Sequence, residues 1–398
     1  MVRKIVMGAM VALVLAMGAV LIAGCSSGSG QSAASSVAAS SAPASSAPAS
    51  SEPASAASSE PASASSEPAK ADFEPLAVSY LNKAFYEDII VANSRGDYAD
   101  AGPEISLFLV DGSGKDSVEA MLAGSVDVAA TGQGPVADAI KEHGDDIVIL
   151  AGANCWTAGQ IWVAGPAMTG DAQLVAYDKA ADNKAEVKAS FESAAAAKGG
   201  PIRIGVQQGA TTESVLKSWL KAMDISCADF ADETEATVKL VDVKANLLPT
   251  TLATGTDIDV MAASKPYPDI ALRELEGSYK IGGDDDINSY NIELFITTKD
   301  VYEKKADSIK AWLKADQATI DWMNANQAEA IAICAESMGL TEEEAGATFE
   351  TADFNIALSD QMLKTLAKTC EKKEVEITED QLKEQMPLYD WISSGMQD

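Results

Sequence analysis

Residues 202–223 read IRIGVQQGATTESVLKSWLKAM. Residues 202–206 are a short apolar strand that runs into a polar turn, Gln207-Gln208-Gly209-Ala210. Beyond it Val215, Leu216, Trp219, Leu220 and Met223 fall on one face of a 3.6-residue period, so a helix starts near residue 211. Thr211 or Thr212 is placed to cap it, with Glu213 and Ser214 in the first turn. The first N–H groups of such a helix lack intrahelical partners and carry the positive end of its dipole. A strand-turn-helix of this kind holds small polar or anionic ligands at its turn.

The rest of the chain builds a second wall opposite this one. Upstream, strands are predicted at 76–80, 105–110, 126–130 and 147–153, with helices after each of the first three. The connections are short: Leu81-Asn82-Lys83, Asp111-Gly112-Ser113-Gly114 and Thr131-Gly132-Gln133-Gly134-Pro135. Strand-helix alternation of this kind predicts an α/β fold with a parallel sheet. Residues 164–200 are irregular, with a surface helix near 184–197. The second lobe repeats the plan, with strands at 202–206, 238–242 and 258–261 and a turn at Ser264-Lys265-Pro266-Tyr267-Pro268. An internal echo links the lobes: LAGSVDV at 122–128 and LATGTDIDV at 252–260 each read as helix end, glycine cap, aspartate and buried strand. Turns at strand C-termini in two similar lobes face a shared cleft. Residues 292–297 are expected to cross back to the first lobe, and helices follow to Trp391.

The first seventy residues are of another kind. Val2-Arg3-Lys4 precedes an apolar run at 5–22, and Ile22-Ala23-Gly24-Cys25 follows it. This resembles the lipobox of bacterial lipoprotein signal peptides, which implies a leader at 1–24 and a lipid on Cys25. An uncleaved membrane anchor is the alternative. Residues 25–70 are almost all Ser, Ala, Pro and Gly, with Ser-Ser-Glu-Pro-Ala recurring from Ser50, Ser58 and Ser65. With nothing to bury, this segment is expected to be a disordered tether. Its reach runs from on the order of 40 Å as a coil to roughly 140 Å as polyproline II.

The net charge of −31 belongs to the remainder, because residues 1–70 hold three acidic and three basic side chains. Nucleic acid is excluded as a partner. Four cysteines remain besides Cys25, without metal-ligand spacing. Cys334 and Cys370 are expected on two helices, where they either pair or stay buried thiols.

The runs LAGSVDVAATGQGP, IRIGVQQGATTESVLKSWL and TLATGTDIDVMAASKPYP together resemble the substrate-binding proteins of ABC importers. The closest group is the nitrate/sulfonate/taurine-type branch, which is similar to the thiamine-pyrimidine binders. The resemblance spans roughly residues 76 to 350. It implies a two-lobed type II periplasmic-binding-protein fold, each lobe a mainly parallel sheet flanked by helices, with lobe 1 at 71–165 plus 288–398 and lobe 2 at 166–287. It also implies an extracytoplasmic, lipid-anchored monomer that delivers a small solute to a membrane permease and needs no cofactor. The matching ligand positions are Tyr80, Leu81, Asn82, Ser113, Gln133, Gly134, Trp156, Gly209, Ala210, Thr211, Thr212, Ser264, Lys265 and Tyr267.

Several of these have plainer readings. Thr211 and Thr212 can be helix caps, Trp156 a core aromatic, and Lys265 a solvated loop lysine. Trp219 reads as core. Arg203 lies about four residues from the turn, roughly 13 Å at strand rise. Asp284, Asp286 and Asn288 have the spacing of a calcium loop, but Ser289 and Phe295 stand where that loop needs glycine and glutamate. Gly112-Ser113-Gly114-Lys115 is not a phosphate loop, since Leu109 and Asp116 break the pattern. His143 is the single histidine and no nucleophile sits beside a base, so binding is favoured over catalysis. Pyrimidine-synthase relatives that share the scaffold, and a ligand-sensing lipoprotein, are the other readings.

Overall fold

Side-chain alternation sorts the strands onto two sheets. The computed structural model describes residues 73–177 and 183–397. The leader at 1–24, the lipid on Cys25 and the tether to residue 70 lie outside the described residues. The first sheet holds β1 (Leu76–Tyr80), β2 (Ile105–Leu109), β3 (Val128–Gly132), β4 (Ile147–Trp156), β11 (Asn291–Thr298) and β12 (Ala352–Phe354) in the order β12-β4-β11-β3-β1-β2. The second holds β5 (Gln160–Ala164), β6 (Ile202–Val206), β7 (Cys227–Ala228), β8 (Val238–Asp242), β9 (Val260–Ser264) and β10 (Tyr279–Gly283) in the order β10-β5-β9-β6-β8-β7. In the first, Val128, Ala130, Val148, Leu150 and Phe295 face one core, and Ala129, Ile147, Ile149, Leu294 and Ile296 face another. The second sheet is buried on both faces in the same way.

Both sheets are mixed rather than mainly parallel. β1 pairs in parallel with β2 and β3, and β6 with β8 and β9. The crossing strands run the other way. β11 lies antiparallel between β3 and β4, and β5 lies antiparallel between β9 and β10. A strand arriving from the opposite lobe enters its sheet reversed, which strand-helix alternation within a lobe does not reveal. β4 also runs on to Trp156, and β5 belongs to the second sheet. The first crossing therefore falls at residues 157–159, before the boundary expected at 165, and the second at 284–290.

The helices that position the cleft follow strand ends. They are α1 (Glu87–Arg95), α2 (Gly114–Leu122), α3 (Gln133–His143), α4 (Lys184–Lys198), α5 (Thr211–Ala222), α6 (Leu248–Thr254) and α7 (Tyr267–Glu274). Four C-terminal helices, α8 (Lys299–Ala325), α9 (Gln327–Met338), α10 (Glu342–Phe349) and α11 (Asp360–Lys372), cover the first sheet. Among the described residues no helix is long and apolar enough to cross a membrane. Trp219 is core, edge-on to Trp162 and tilted against Phe191, with its indole N–H donating to Asp286 Oδ2 at 2.7 Å.

The internal echo has a physical basis. Gly124 and Gly255 take positive φ of 71° and 63° at the helix ends. Asp127 then clasps Ala77 on β1: its N–H donates to Ala77 O at 2.8 Å and its Oδ2 accepts from Ala77 N at 2.8 Å. Asp259 clasps Arg203 on β6 in the same way, at 2.8 and 2.9 Å. Each carboxylate also meets cations, Lys305 in one lobe, Arg203 and Lys198 in the other.

The cysteines do not pair. Cys334 sits in the core on one face of the first sheet and Cys370 in the core on the other, and both are free thiols. The sheet itself separates them.

Candidate ligand cleft

Two helix starts meet where the lobes touch. α5 begins at Ala210 and α3 at Gly132, and no side chain caps either one. Thr211 and Thr212 thus do not cap α5. Thr212 Oγ1 instead pairs with Ser264 Oγ at 3.1 Å, tying the helix to the end of β9. Thr211 faces the first lobe: a Cβ on Gly132 would lie 2.5 Å from Thr211 Oγ1, and one on Gly134 would lie 3.3 Å from it. Only glycine lets the two starts approach this closely. The α2 start differs, because Ser113 caps it and donates to Asp116.

Other contacts hold the lobes together. Gly209 takes φ 80°, and a Cβ there would meet Lys115 Cδ at 2.7 Å. Within the second lobe, Gly209 N donates to Glu213 Oε2 at 2.7 Å. Asn246 donates to Asp111 at 2.8 Å, Ala84 N to Lys265 O at 3.3 Å, and Arg273 pairs with Glu344.

The floor of the cleft lies by the first crossing. Trp156 is 2% exposed and stacks on Phe85, with ring centroids 3.9 Å apart. Phe85 takes φ 77°, held by Asn154 Nδ2 donating to its carbonyl at 2.8 Å. A non-glycine residue held in this region stores strain, and such residues cluster at ligand clamps. A Cβ on Gly159 would lie 2.2 Å from Phe85 Cζ, so the stack needs glycine there. Glu293 lies beside it, with Tyr86 OH donating to Oε2 at 2.9 Å. Burial pushes the Glu293 carboxyl up to about 7, against the opposing pull of Lys83, Tyr86 and Trp156. Burial likewise lifts Glu87 to about 8, against backbone N–H groups and Lys265. Burial lowers the Lys83 ammonium, with Glu293 working the other way.

Lys265 is the outstanding cation. It is 6% exposed, and among the described residues its ammonium has no hydrogen bond or ion pair. It follows Ser264 directly. Gln160, opposite Ser264 on β5, is fully buried with both amide atoms unpartnered, and Thr131 Oγ1 is unpartnered as well. Unsatisfied buried polar groups on this scale call for a ligand or water.

The expected positions therefore divide. Gly134, Gly209, Ala210, Thr211, Thr212, Ser264 and Lys265 gather at the seam. Tyr267 opens α7, largely buried, with its phenol raised by burial and Asp111. Tyr80 is half-buried, and Leu81 is core. Asn82 is turned aside, its side chain bonded to Ser337. Gln133 keeps its amide for Asn291 and the Ile292 N–H. Arg203 is committed to Asp259. Lys83, Phe85, Glu87, Gln160 and Glu293 were not foreseen. For Glu293 and Gln160 the signal was there, a polar residue at or near the end of an apolar strand. A positive φ at phenylalanine leaves none.

A model of the NMT1-like family matches residues 69–339, more than half of the chain. No curated protein matches it. Among solved structures, the periplasmic nitrate-binding protein NrtA from Synechocystis PCC 6803 superposes with a TM-score of 0.59 at 15% identity, covering 82% of this chain and 89% of that one. The periplasmic aliphatic sulphonate-binding protein SsuA from Escherichia coli gives 0.56 at 15% identity, covering 78% and 91%. The alkanesulfonate-binding SsuA from Xanthomonas axonopodis pv. citri, bound to MOPS, gives 0.57 at 13%, covering 79% and 97%. The shared fold is that of the periplasmic binding proteins.

Proposed function

The chain belongs to the NMT1-like family, and from that premise we propose that it is an extracytoplasmic solute-binding receptor of an ABC importer. It closes on a small polar or anionic solute of nitrate, sulfonate or taurine type and offers it, as a monomer, to a membrane permease. Residues 1–70 hold it to the membrane through a lipid on Cys25. The observation that carries the reading is Lys265, a buried ammonium one residue past the Ser264–Thr212 bond that makes no hydrogen bond or ion pair among the described residues, the two acids that act on it, Glu87 and Asp269, both being raised by burial. A cation in that position is costly unless an anion completes it. The two uncapped helix starts add N–H donors and dipole charge.

A second reading rests on the floor. The Phe85–Trp156 stack and the near-neutral Glu293 carboxyl suit a flat heterocycle with an amino group, such as a thiamine-pyrimidine precursor. Signalling by the loaded lipoprotein keeps the same cleft. Nothing in either reading calls for catalysis.

Mass spectrometry of small molecules released on unfolding the purified protein separates the two ligand classes. With the solute in hand, Lys265→Met is expected to weaken binding about 30-fold, the loss of one charge-assisted hydrogen bond worth about 2 kcal/mol. Thr211→Trp is expected to abolish binding with the melting temperature of the free protein preserved. Full affinity in both variants removes the cleft assignment.

A further inference from the structure

A second recess opens on the flank of the seam. It has a volume of about 270 Å³. One wall is the exposed face of α11, where Lys364, Lys368 and Lys372 recur every fourth residue. The facing wall is α5, with Ser214 and Ser218, and residues 287–290 of the second crossing form the floor. Gln133, Gly134 and Thr211, at the starts of α3 and α5, line the recess where it adjoins the cleft.

Its lining is unusual for this protein. The chain carries 60 acidic side chains against 29 basic ones, yet no aspartate or glutamate lines the recess. Three lysines and a set of hydroxyl and amide groups line it instead. The contrast is local, because the next groove along shares Lys364 and Lys368 but adds Glu371, Glu374, Glu376 and Glu379. Among the described residues Lys364, Lys368 and neighbouring Lys221 have no ion pair, while Lys372 reaches only the Ser218 hydroxyl, at 3.4 Å across the seam. Burial, with Lys368 and Lys221 close by, makes Lys372 less basic than an ordinary lysine. The positive charge is thus concentrated on this face, with Lys372 partly desolvated.

We propose that this recess is a second anion site, adjoining the solute cleft but centred on the α11 lysines, which takes a small multivalent oxyanion between α11 and α5 and fastens the lobes together. α11 covers the first sheet and α5 the second, so an anion bound to both favours the closed arrangement over any open one. A multivalent anion is required because three ammonium groups must be relieved at once, and the hydroxyl groups of Ser214 and Thr365 supply uncharged donors, those of Ser218 and Thr369 being given to the Ser214 and Thr365 carbonyls. The proposal goes beyond the solute reading: it shares the starts of α3 and α5 with the cleft but rests on Lys364, Lys368 and Lys372 and not on Lys265.

The test is thermal unfolding of the full chain with inorganic pyrophosphate, against sodium chloride at matched ionic strength. A saturable rise of about 3 °C at ten times Kd is expected in the wild type. The rise is expected to persist in Lys265→Met and in Lys304→Gln, which removes the same charge elsewhere. It is expected to vanish in Lys368→Gln/Lys372→Gln. A rise kept in the double variant, a rise lost in Lys265→Met instead, or no rise in the wild type at millimolar pyrophosphate each overturns it. Because Lys265→Met reports on the cleft and the double variant on the recess, the failure of either reading is told apart from the other.

Discussion

Asp259 shows how much a single side chain carries. It is 3% exposed, and it accepts from the Arg203 backbone and guanidinium while pairing with Lys198. Burial alone raises a carboxyl, but the bonds from Arg203 and Lys198 outweigh it and hold Asp259 below the usual range. A group whose pKa falls on folding adds stability above its unfolded value of about 3.9, and that stability is lost as pH drops through the folded value. Asp259→Ala is therefore expected to cost about 3 kcal/mol in urea unfolding at pH 7, with two cations left unpaired. The gap from wild type is expected to narrow below about pH 4. An unchanged gap there means the loss is one of packing, not charge.

Among the elements, the two crossings matter most. Asp284 joins them: Oδ1 accepts from Gln160 N at 3.1 Å on the first, and Oδ2 accepts from Asn291 Nδ2 at 2.9 Å beyond the second. Asn291 in turn accepts from Gln133 at the start of α3. Asp284, the first of the triplet whose spacing mimicked a calcium loop, is thus a clasp between the crossings, while Asp286 accepts from Trp219 and Gly283. Asp284→Ala orphans two buried donors and is expected to destabilise by about 2–4 kcal/mol. Hydrogen exchange at Gln160 is expected to rise before that of β6, whose N–H groups lie in the sheet. Equal acceleration at both sites would falsify a local hinge role. The sequence reading was strongest at this scale and weakest at this point. Periodicity located β6 and α5 to within a residue, because both bury one regular face. It missed that β5 leaves the first lobe and that β11 enters it reversed, because strand direction depends on where the chain has come from. In the cleft, the glycine and threonine turns were legible from strand-turn-helix chemistry. The Phe85–Trp156 floor was not, since a strained backbone and a partner far along the chain leave no local pattern.

Over the whole molecule the buried acids set the response to pH. Burial lifts Glu87 to about 8 and Glu293, Asp284 and Asp316 to about 7. Asp88 is raised well above the usual carboxylate range by burial and by facing Asp316, which accepts from Tyr98 OH at 2.6 Å. For acids raised on folding the sign reverses. Their stability is complete below the unfolded pKa of about 4 and is lost as pH rises through 7 to 8. Self-repulsion at a net charge of −31 acts in the same direction. The melting temperature is expected to be higher at pH 5.5 than at pH 8, and Asp316→Asn is expected to flatten that slope. A higher melting temperature at pH 8 contradicts the assignment.

β11 also sets an order of assembly. It lies between β3 and β4, yet the ribosome delivers it after every strand of the other sheet. The second sheet lies wholly within residues 160–283, and although its first strand, β5, waits for the last two, β9 and β10, it is complete once residue 283 has emerged. The N-terminal sheet cannot close until residue 298 is available, so its first strands wait with exposed edges while their neighbour matures. The lobe that begins the protein is the last to be finished.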